Sequence, residues 1–218
     1  MFRKLLPVWI SAALSLTAIG AFARMLPDPA VDIGRAEEPH KDTAVLAGGC
    51  FWGVEAVFEQ LAGVDKVVAG FAGGEAKTAH YEIVSTGRTG HAESVEITYD
   101  PAKITYGQLL KVFFAVAHDP TQKNRQGPDE GTQYRSAIFY RDAEQKRIAD
   151  AYIKQLDEAG VFKKPIVTEV VPLTRFYAAE GYHQNFVKRN PTYPYVVYND
   201  LPKLAMLKKE FRDMLKKP

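Results

Sequence analysis

Cys50 is the only cysteine in the 218 residues, and its neighbours are of types that could make it reactive. It stands in the run Gly48-Gly49-Cys50-Phe51-Trp52-Gly53-Val54-Glu55. Residues 43–47 ahead of it read as a short apolar strand. Behind it, Phe51, Val54, Phe58 and Leu61 fall on one stripe at helical spacing. The spacing predicts a thiol placed where a strand turns into a helix N-terminus. Unpaired backbone N–H groups and the positive end of the helix dipole meet there, and both favour a thiolate. Two glycines let the backbone turn sharply and keep side chains off the sulfur. A lone cysteine is often a small buried hydrophobe, but that role needs neither the glycines nor the helix start. The same turn could hold an anion, yet no P-loop lysine and hydroxyl residue follow.

A second candidate is Glu93. Residues 93–99 alternate, with Val95, Ile97 and Tyr99 on one face and Ser94, Glu96 and Thr98 on the other. Glu93 has the parity of the apolar face. Buried there, its carboxyl would have a raised pKa and keep a proton near neutral pH. At a frayed strand end it would be an ordinary solvated carboxylate. The pattern by itself leaves both open.

The elements that must position these groups follow in chain order. A helix after Cys50 is closed near Gly63, and a strand covers 65–71. Gly73-Gly74 breaks it, and a polar excursion over 75–86 carries His80 and Tyr81. After the strand at 93–99, Thr105 opens a helix. A polar loop over 119–134 holds Arg125, Asp129, Gln133 and Tyr134; a loop of that length inside a domain is usually functional. A strand at 136–140, a helix from Asp142 to Gly160 and a strand at 165–171 come next. Residues 178–189 read as a short helix and 201–217 as a basic amphipathic helix with a solvated face. Strand, helix, strand, strand, helix, strand over 43–140 is the split βαβ order. The expectation is an α+β fold: a ferredoxin-like βαββαβ core with a mixed sheet and extra C-terminal elements.

With 46% apolar residues the chain is globular in composition and long enough for one core. Arg3 and Lys4, a mostly apolar stretch over 5–19 and Ala21-Phe22-Ala23 have the pattern of an export signal. The expected organisation is a signal peptide over 1–23, an extended linker over 24–42 and a catalytic domain over 43–218. The protein would then be exported to the periplasm, or membrane-anchored if the signal is not cleaved. The chain has 28 Lys and Arg against 26 Asp and Glu. Without Arg3 and Lys4 the counts are equal, which argues against nucleic-acid binding. The five histidines show no metal-ligand spacing, and one cysteine cannot build a thiolate metal site.

Four spaced motifs together resemble the A-type peptide-methionine sulfoxide reductases. They are the run from Gly48 to Glu55; Thr89-Gly90-His91-Ala92-Glu93 with Tyr81 before it; Arg125-Gln126-Gly127-Pro128-Asp129; and Gly131-Thr132-Gln133-Tyr134-Arg135-Ser136. The resemblance covers about residues 43–204. It implies reduction of methionine (S)-sulfoxide, free or in proteins, with Cys50 as nucleophile and Glu93 as proton donor. It implies that Phe51 and Trp52 hold the substrate methyl. Tyr81 and Tyr134 would join Glu93 around the sulfoxide oxygen, and Asp129 would belong to the surrounding network. The residue types suit that reaction. A sulfoxide oxygen is a poor leaving group and must be protonated as a thiolate attacks the sulfur, and phenols add donors.

The chain departs from many such proteins in having no downstream cysteine. Cys50 sulfenic acid would have to be reduced by an external thiol, from a thioredoxin-like protein, a small thiol or a second copy of the chain. No bound cofactor, nucleic acid or stable membrane partner is expected. One rival is another exported thiol enzyme, a peroxidase or a Cys-His hydrolase using His91, His118 or His183. A non-enzymatic exported binding protein is the other, and it leaves the free thiol in an oxidising compartment unexplained.

Overall fold

A six-stranded sheet carries the fold in the computed structural model, which describes residues 26–217. The expected signal, residues 1–23, lies outside the described residues. In chain order the elements are β1 (Asp42–Gly48), α1 (Phe51–Glu59), β2 (Val64–Ala72), α2 (Tyr81–Val84), β3 (Ala92–Tyr99) and α3 (Tyr106–Val112). Then come β4 (Arg125–Gln126), β5 (Asp129–Glu130), β6 (Ser136–Tyr140), α4 (Ala143–Glu158), β7 (Glu169–Pro172), β8 (Phe176–Ala178), α5 (Phe186–Arg189) and α6 (Leu201–Glu210).

The strand order is β7-β6-β1-β3-β2-β8, with β4 and β5 forming a separate hairpin. The β6–β7 pair is parallel and the other pairs of the large sheet are antiparallel, so the sheet is mixed. The class is α+β. Alternation explains the two faces. Leu46, Phe71, Val95, Ile97 and Ile138 point to the side where α1, α3 and α4 pack through Val54, Phe58, Leu109 and Tyr152. Val45, Ala47, Ala92 and Phe139 point the other way, against Val171, Leu173 and Phe176. Burying side chains the size of Phe58 or Leu46 stabilises the fold by about 1.5–3 kcal/mol each.

The helix starts are chemically specified. Thr105 and Gln108 form a reciprocal capping box at α3. Asp142 accepts from the Gln145 amide at 2.8 Å to start α4. Residues 26–41 contain no helix or strand. They are nevertheless tied to α3 and α4. Tyr152 donates its hydroxyl to the Pro27 carbonyl at 2.9 Å, Lys111 pairs with Asp28 at 2.7 Å, and Gly107 N–H donates to Asp32 at 2.9 Å.

Four segments differ from the pattern-based reading. The helix expected over 201–217 ends at Glu210, with a 3-10 turn over Arg212–Met214 beyond it. The polar loop 119–134 is not structureless: it holds the β4–β5 hairpin and a 3-10 turn over Thr132–Tyr134. The strand expected over 165–171 is shorter and later, Glu169–Pro172. The helix expected over 178–189 is confined to Phe186–Arg189. Tertiary pairing overrides its helical spacing. Phe176–Ala178 adds an edge strand to β2, and the Gln184 side-chain amide then bonds both the N–H and the carbonyl of Ala69, each at 2.9 Å. That clamp continues the pairing of β2 where backbone pairing ends, and residues 179–185 must loop to allow it.

Candidate active site

Cys50 is the N-cap residue of α1, at the end of β1. Gly49 adopts φ +89°, and a Cβ there would come within 2.5 Å of the Gln126 side chain. The turn therefore needs glycine twice over, for conformation and for space. Gly53, one turn into α1, lies under the Asp200 carboxylate, which a Cβ would strike.

Strand register brings Glu93 to the thiol. Leu46 of β1 is opposite Val95 of β3. Two residues on in β1 and two back in β3, the antiparallel register sets Glu93 level with Gly48, where the chain turns to Cys50. Glu93 also shares the inward parity of Val95 and is only 2% exposed. Its Oε2 accepts the Phe51 backbone N–H at 3.1 Å. Burial drives its pKa up to about 8; the Phe51 N–H opposes the shift, and the nearby Asp129 adds to it. The carboxyl thus carries its proton at neutral pH.

The resting thiol does not match the helix-dipole expectation. Cys50 is 8% exposed, and burial pushes its pKa well above the ordinary thiol value. The charges of Glu93 and Asp200 push the same way, against the Trp52 backbone N–H, which favours the thiolate. Desolvation outweighs the end of a nine-residue helix. Protonation of Glu93 removes the second of these obstacles.

The seven residues singled out from the sequence line one cavity of about 190 Å³: Cys50, Phe51, Trp52, Tyr81, Glu93, Asp129 and Tyr134. Tyr81 begins α2, Asp129 begins β5 and Tyr134 ends the 3-10 turn that follows. Burial, together with the Glu93 charge, raises the pKa of both phenols, so each is a hydrogen-bond donor over the whole working range. Trp52 forms one wall, stacked on Phe186 with ring centroids 3.7 Å apart.

Two further lining residues were missed, Tyr193 and Tyr195. Tyr195 donates its hydroxyl to Asp129. Nothing in the spacing of this segment marks the tyrosines. Burial raises the pKa of Asp129 against the Tyr195 bond and Lys203. Asp200 is fully buried, its carboxyl pushed up to about 6 by burial with Lys203 Nζ 4.0 Å away opposing.

The histidines proposed for a rival hydrolase do not serve Cys50. None lines the cavity among the described residues. His91 bonds Gly74 N–H and the Glu75 carbonyl. His118 faces the Phe113 carbonyl and Thr168. The Nδ1 of His183 accepts the Trp52 indole N–H. Among the described residues no cluster of three or more His, Cys, Asp or Glu could hold a metal ion.

The site is that of a buried thiol beside a protonated carboxyl and two phenols. Its relatives agree with that chemistry. Residues 42–215 match the family profile described as peptide methionine sulfoxide reductase. The chain is 62% identical over 173 residues to peptide methionine sulfoxide reductase MsrA 2 of Mesorhizobium japonicum, covering 79% of this chain and 89% of the relative. It is 53% identical over 209 residues to MsrA 2 of Synechocystis sp., covering 95% and 98%. A solved structure of methionine sulfoxide reductase A from Corynebacterium diphtheriae superposes with a TM-score of 0.60 at 40% identity, covering 71% of this chain and 77% of that one. The chain belongs to the MsrA family of peptide methionine sulfoxide reductases, the peptide-methionine (S)-S-oxide reductases.

Proposed function

We propose that Cys50 takes the oxygen of methionine (S)-sulfoxide while Glu93 protonates it. The substrate methyl sits against Phe51 and Trp52, and its sulfur faces the Cys50 Sγ. Glu93, Tyr81 and Tyr134 surround the sulfoxide oxygen. As Sγ attacks the substrate sulfur, Glu93 gives its proton to the oxygen, and the proton lost by the thiol replaces it. The S–O bond of the substrate breaks and a Cys50 S–O bond forms. The substrate sulfur gains two electrons, Cys50 loses two, and the products are methionine and Cys50 sulfenic acid. Asp129, tied to Tyr195, holds the rim of the site in register. The observation that carries this reading is the convergence of a thiol, a carboxyl protonated at neutral pH and two phenols on one cavity.

Recycling follows from the cysteine count. Cys50 is the sole thiol of the sequence, so one external thiol attacks the sulfenic acid and releases water. A second thiol attacks the resulting mixed disulfide and restores Cys50. A thioredoxin-like dithiol supplies both from one molecule; a small thiol supplies them in two encounters. Free methionine sulfoxide is a substrate along with oxidised peptides. The central strands β6-β1-β3-β2 are read as a ferredoxin-like unit on their antiparallel order.

The export reading rests on Arg3, Lys4, the apolar stretch and the Ala21-Phe22-Ala23 pattern, and makes the enzyme a repairer of oxidised periplasmic proteins. No helix among the described residues is long and apolar enough to cross a membrane. N-terminal sequencing of protein from the periplasmic fraction tests cleavage; an intact N-terminus found only in the cytosol sinks it.

The function is tested by a single turnover without reductant on separate S and R epimers of a methionine sulfoxide peptide. The expected result is about one equivalent of methionine, set by the single cysteine, from the S epimer alone, with Cys50 trapped as sulfenic acid. No reaction while Cys50 remains a free thiol overturns it.

A further inference from the structure

One buried charge beside the thiol has no role in the chemistry above. Asp200 ends the turn Val196–Asp200 and is the N-cap residue of α6. It is 0% exposed, and neither carboxylate oxygen has a hydrogen-bond partner. Lys203 Nζ stands 4.0 Å from Oδ1. A buried carboxylate left without hydrogen bonds is costly and calls for a reason. Its place supplies one. Oδ1 lies where a Cβ on Gly53 would stand. Cys50 is the N-cap of α1, and Gly53 is the third helical residue after it. Side chains at those two positions face each other in a capping box. The carboxylate of Asp200 therefore fills side-chain space beside the sulfur. α1 has no acid in its own first turn and no side-chain cap, so Asp200 brings a negative charge there from another element.

We infer that Asp200 is a positioning residue for the Cys50 proton: its buried charge holds the resting thiol in its unreactive form, so that peroxides do not consume it. The inference rests on the reading of Cys50 as the sulfoxide-reducing thiol. Only the thiolate attacks a peroxide. In that reaction an S–O bond forms and the O–O bond breaks. The sulfur loses two electrons, and the peroxide leaves as hydroxide, which takes a proton to become water. Further oxidation to the sulfinic acid is irreversible, and with one cysteine no internal disulfide can intercept it. A carboxylate beside the sulfur disfavours the thiolate by like-charge repulsion. Reduction of a bound sulfoxide is not held back in the same way, because the thiol proton passes to Glu93 as Glu93 gives up its own.

The other groups that face the thiol are Glu93, Asp129 and the phenols of Tyr81, Tyr134 and Tyr195, all lining the cavity. Asp200 itself is faced by Lys203 and Asp129. Burial pushes its carboxyl up to about 6, so its repulsion is absent below that pH and present above it. The test is the rate of Cys50 alkylation by iodoacetamide against pH, on the full chain, which has no other thiol. Far below its pKa a thiol gains about tenfold in rate per pH unit, as its thiolate fraction does. Wild type should fall short of that slope as Asp200 ionises near 6, and Asp200→Asn should keep it. The two should agree at acid pH, and Asp200→Asn should react roughly tenfold faster at neutral pH. Oxidation by hydrogen peroxide at neutral pH should show the same ratio. Asp200→Ser serves as a second loss variant, and Asp200→Glu, which keeps the charge, should return most of the slow rate. A flattening near 8 belongs to Glu93 and should remain in every variant.

A wild-type alkylation rate at neutral pH in folded Asp200→Asn or Asp200→Ser overturns the inference. Asp200 would then serve only the end of the α1 dipole, a role whose loss lowers the melting temperature and leaves the alkylation profile in place. An unbroken wild-type slope near 6 overturns it with no variant at all. Should the wild type reduce no sulfoxide, the reading of the site fails by itself, and the alkylation profile still decides whether Asp200 holds the proton on Cys50.

Discussion

The two halves of this site are built on different supports. Cys50, Phe51 and Glu93 stand on β1, α1 and β3, elements buried in the core with their positions set by sheet register. Tyr81, Asp129, Tyr134, Tyr193 and Tyr195 stand on short helices, hairpin ends and turns. They are held by local turns and side-chain hydrogen bonds, such as Tyr195 to Asp129 and Tyr81 N–H to Glu180. The nucleophile and the acid of the proposed reaction, whose separation must be kept, are on the rigid half. The phenol donors and the Tyr193 and Tyr195 rim are on the adjustable half, while the Phe51 and Trp52 walls belong with α1 on the rigid one. Damage to the first half should therefore hit the chemical step, and damage to the second half should fall more on binding.

The largest effect belongs to Cys50→Ser. An alcohol cannot replace the thiolate at neutral pH, and no second thiol exists in the chain. Sulfoxide reduction should vanish in a single-turnover assay while the melting temperature stays within a few degrees. Appreciable methionine formation would place the chemistry outside the rigid half.

Next comes Glu93→Gln, expected to slow the reductase step by roughly 10²–10⁴-fold. Its pH behaviour sharpens the point. Glu93 is protonated below about 8 and loses its proton above it, so the single-turnover rate should fall with pH through that value. The limb should be absent in Glu93→Gln. The same shift has a stability sign. A carboxyl whose folded pKa is raised makes its full contribution below the unfolded value and loses it as pH rises toward about 8. Wild-type stability should decline over that window more than that of Glu93→Gln. A rate limb that survives the substitution would move the acid elsewhere.

Smaller again is Tyr134→Phe. In the proposed reaction the phenol donates to the developing charge on the oxygen, and because Tyr81 remains as a second donor the loss should lie at the low end for one such donor, on the order of 10²-fold. The loss should appear in the single-turnover rate and leave the Glu93 pH limb in place. A loss as deep as that of Glu93→Gln would mean that Tyr134, on a turn, carries what is assigned to the rigid half.

The same division decided what could be read from the sequence. Cys50 at a strand–helix turn and Glu93 on an inward face are local patterns, with periods of 3.6 and 2 that survive in the fold. α1 and β3 were legible for the same reason, whereas β1 showed as a short apolar run and α4 through Asp142 and Gly160 at its ends. The thiol's protonation state was not, because burial by distant residues, Asp200 among them, outweighs the local helix dipole. Tyr81, Asp129 and Tyr134 carried no periodic signal; the length of the polar loop over 119–134 pointed to the last two, and the roles of all three came only from the family resemblance. Tyr193, Tyr195 and His183 were placed by contacts across long stretches of chain, which no local pattern encodes. The loop at 179–185 was misjudged because the Gln184 clamp on Ala69 is such a contact.

The finest test of the contrast is Tyr195→Phe. It removes only the hydroxyl that reaches Asp129 and leaves the ring against Trp52, 5.8 Å between centroids. A hydrogen bond to a carboxylate contributes about 1.5–3 kcal/mol, and some of this returns when water reaches the half-buried Asp129. The expected result is a KM higher by roughly 5–30-fold with the single-turnover rate at saturation changed little, because Cys50 and Glu93 keep their places on α1 and β3. Asp129→Asn should produce a similar change, and the double variant should be no worse than the worse single one. If Tyr195→Phe instead lowers the saturating rate and spares KM, the β5 hairpin belongs with the rigid half, and the boundary drawn between the two supports lies in the wrong place.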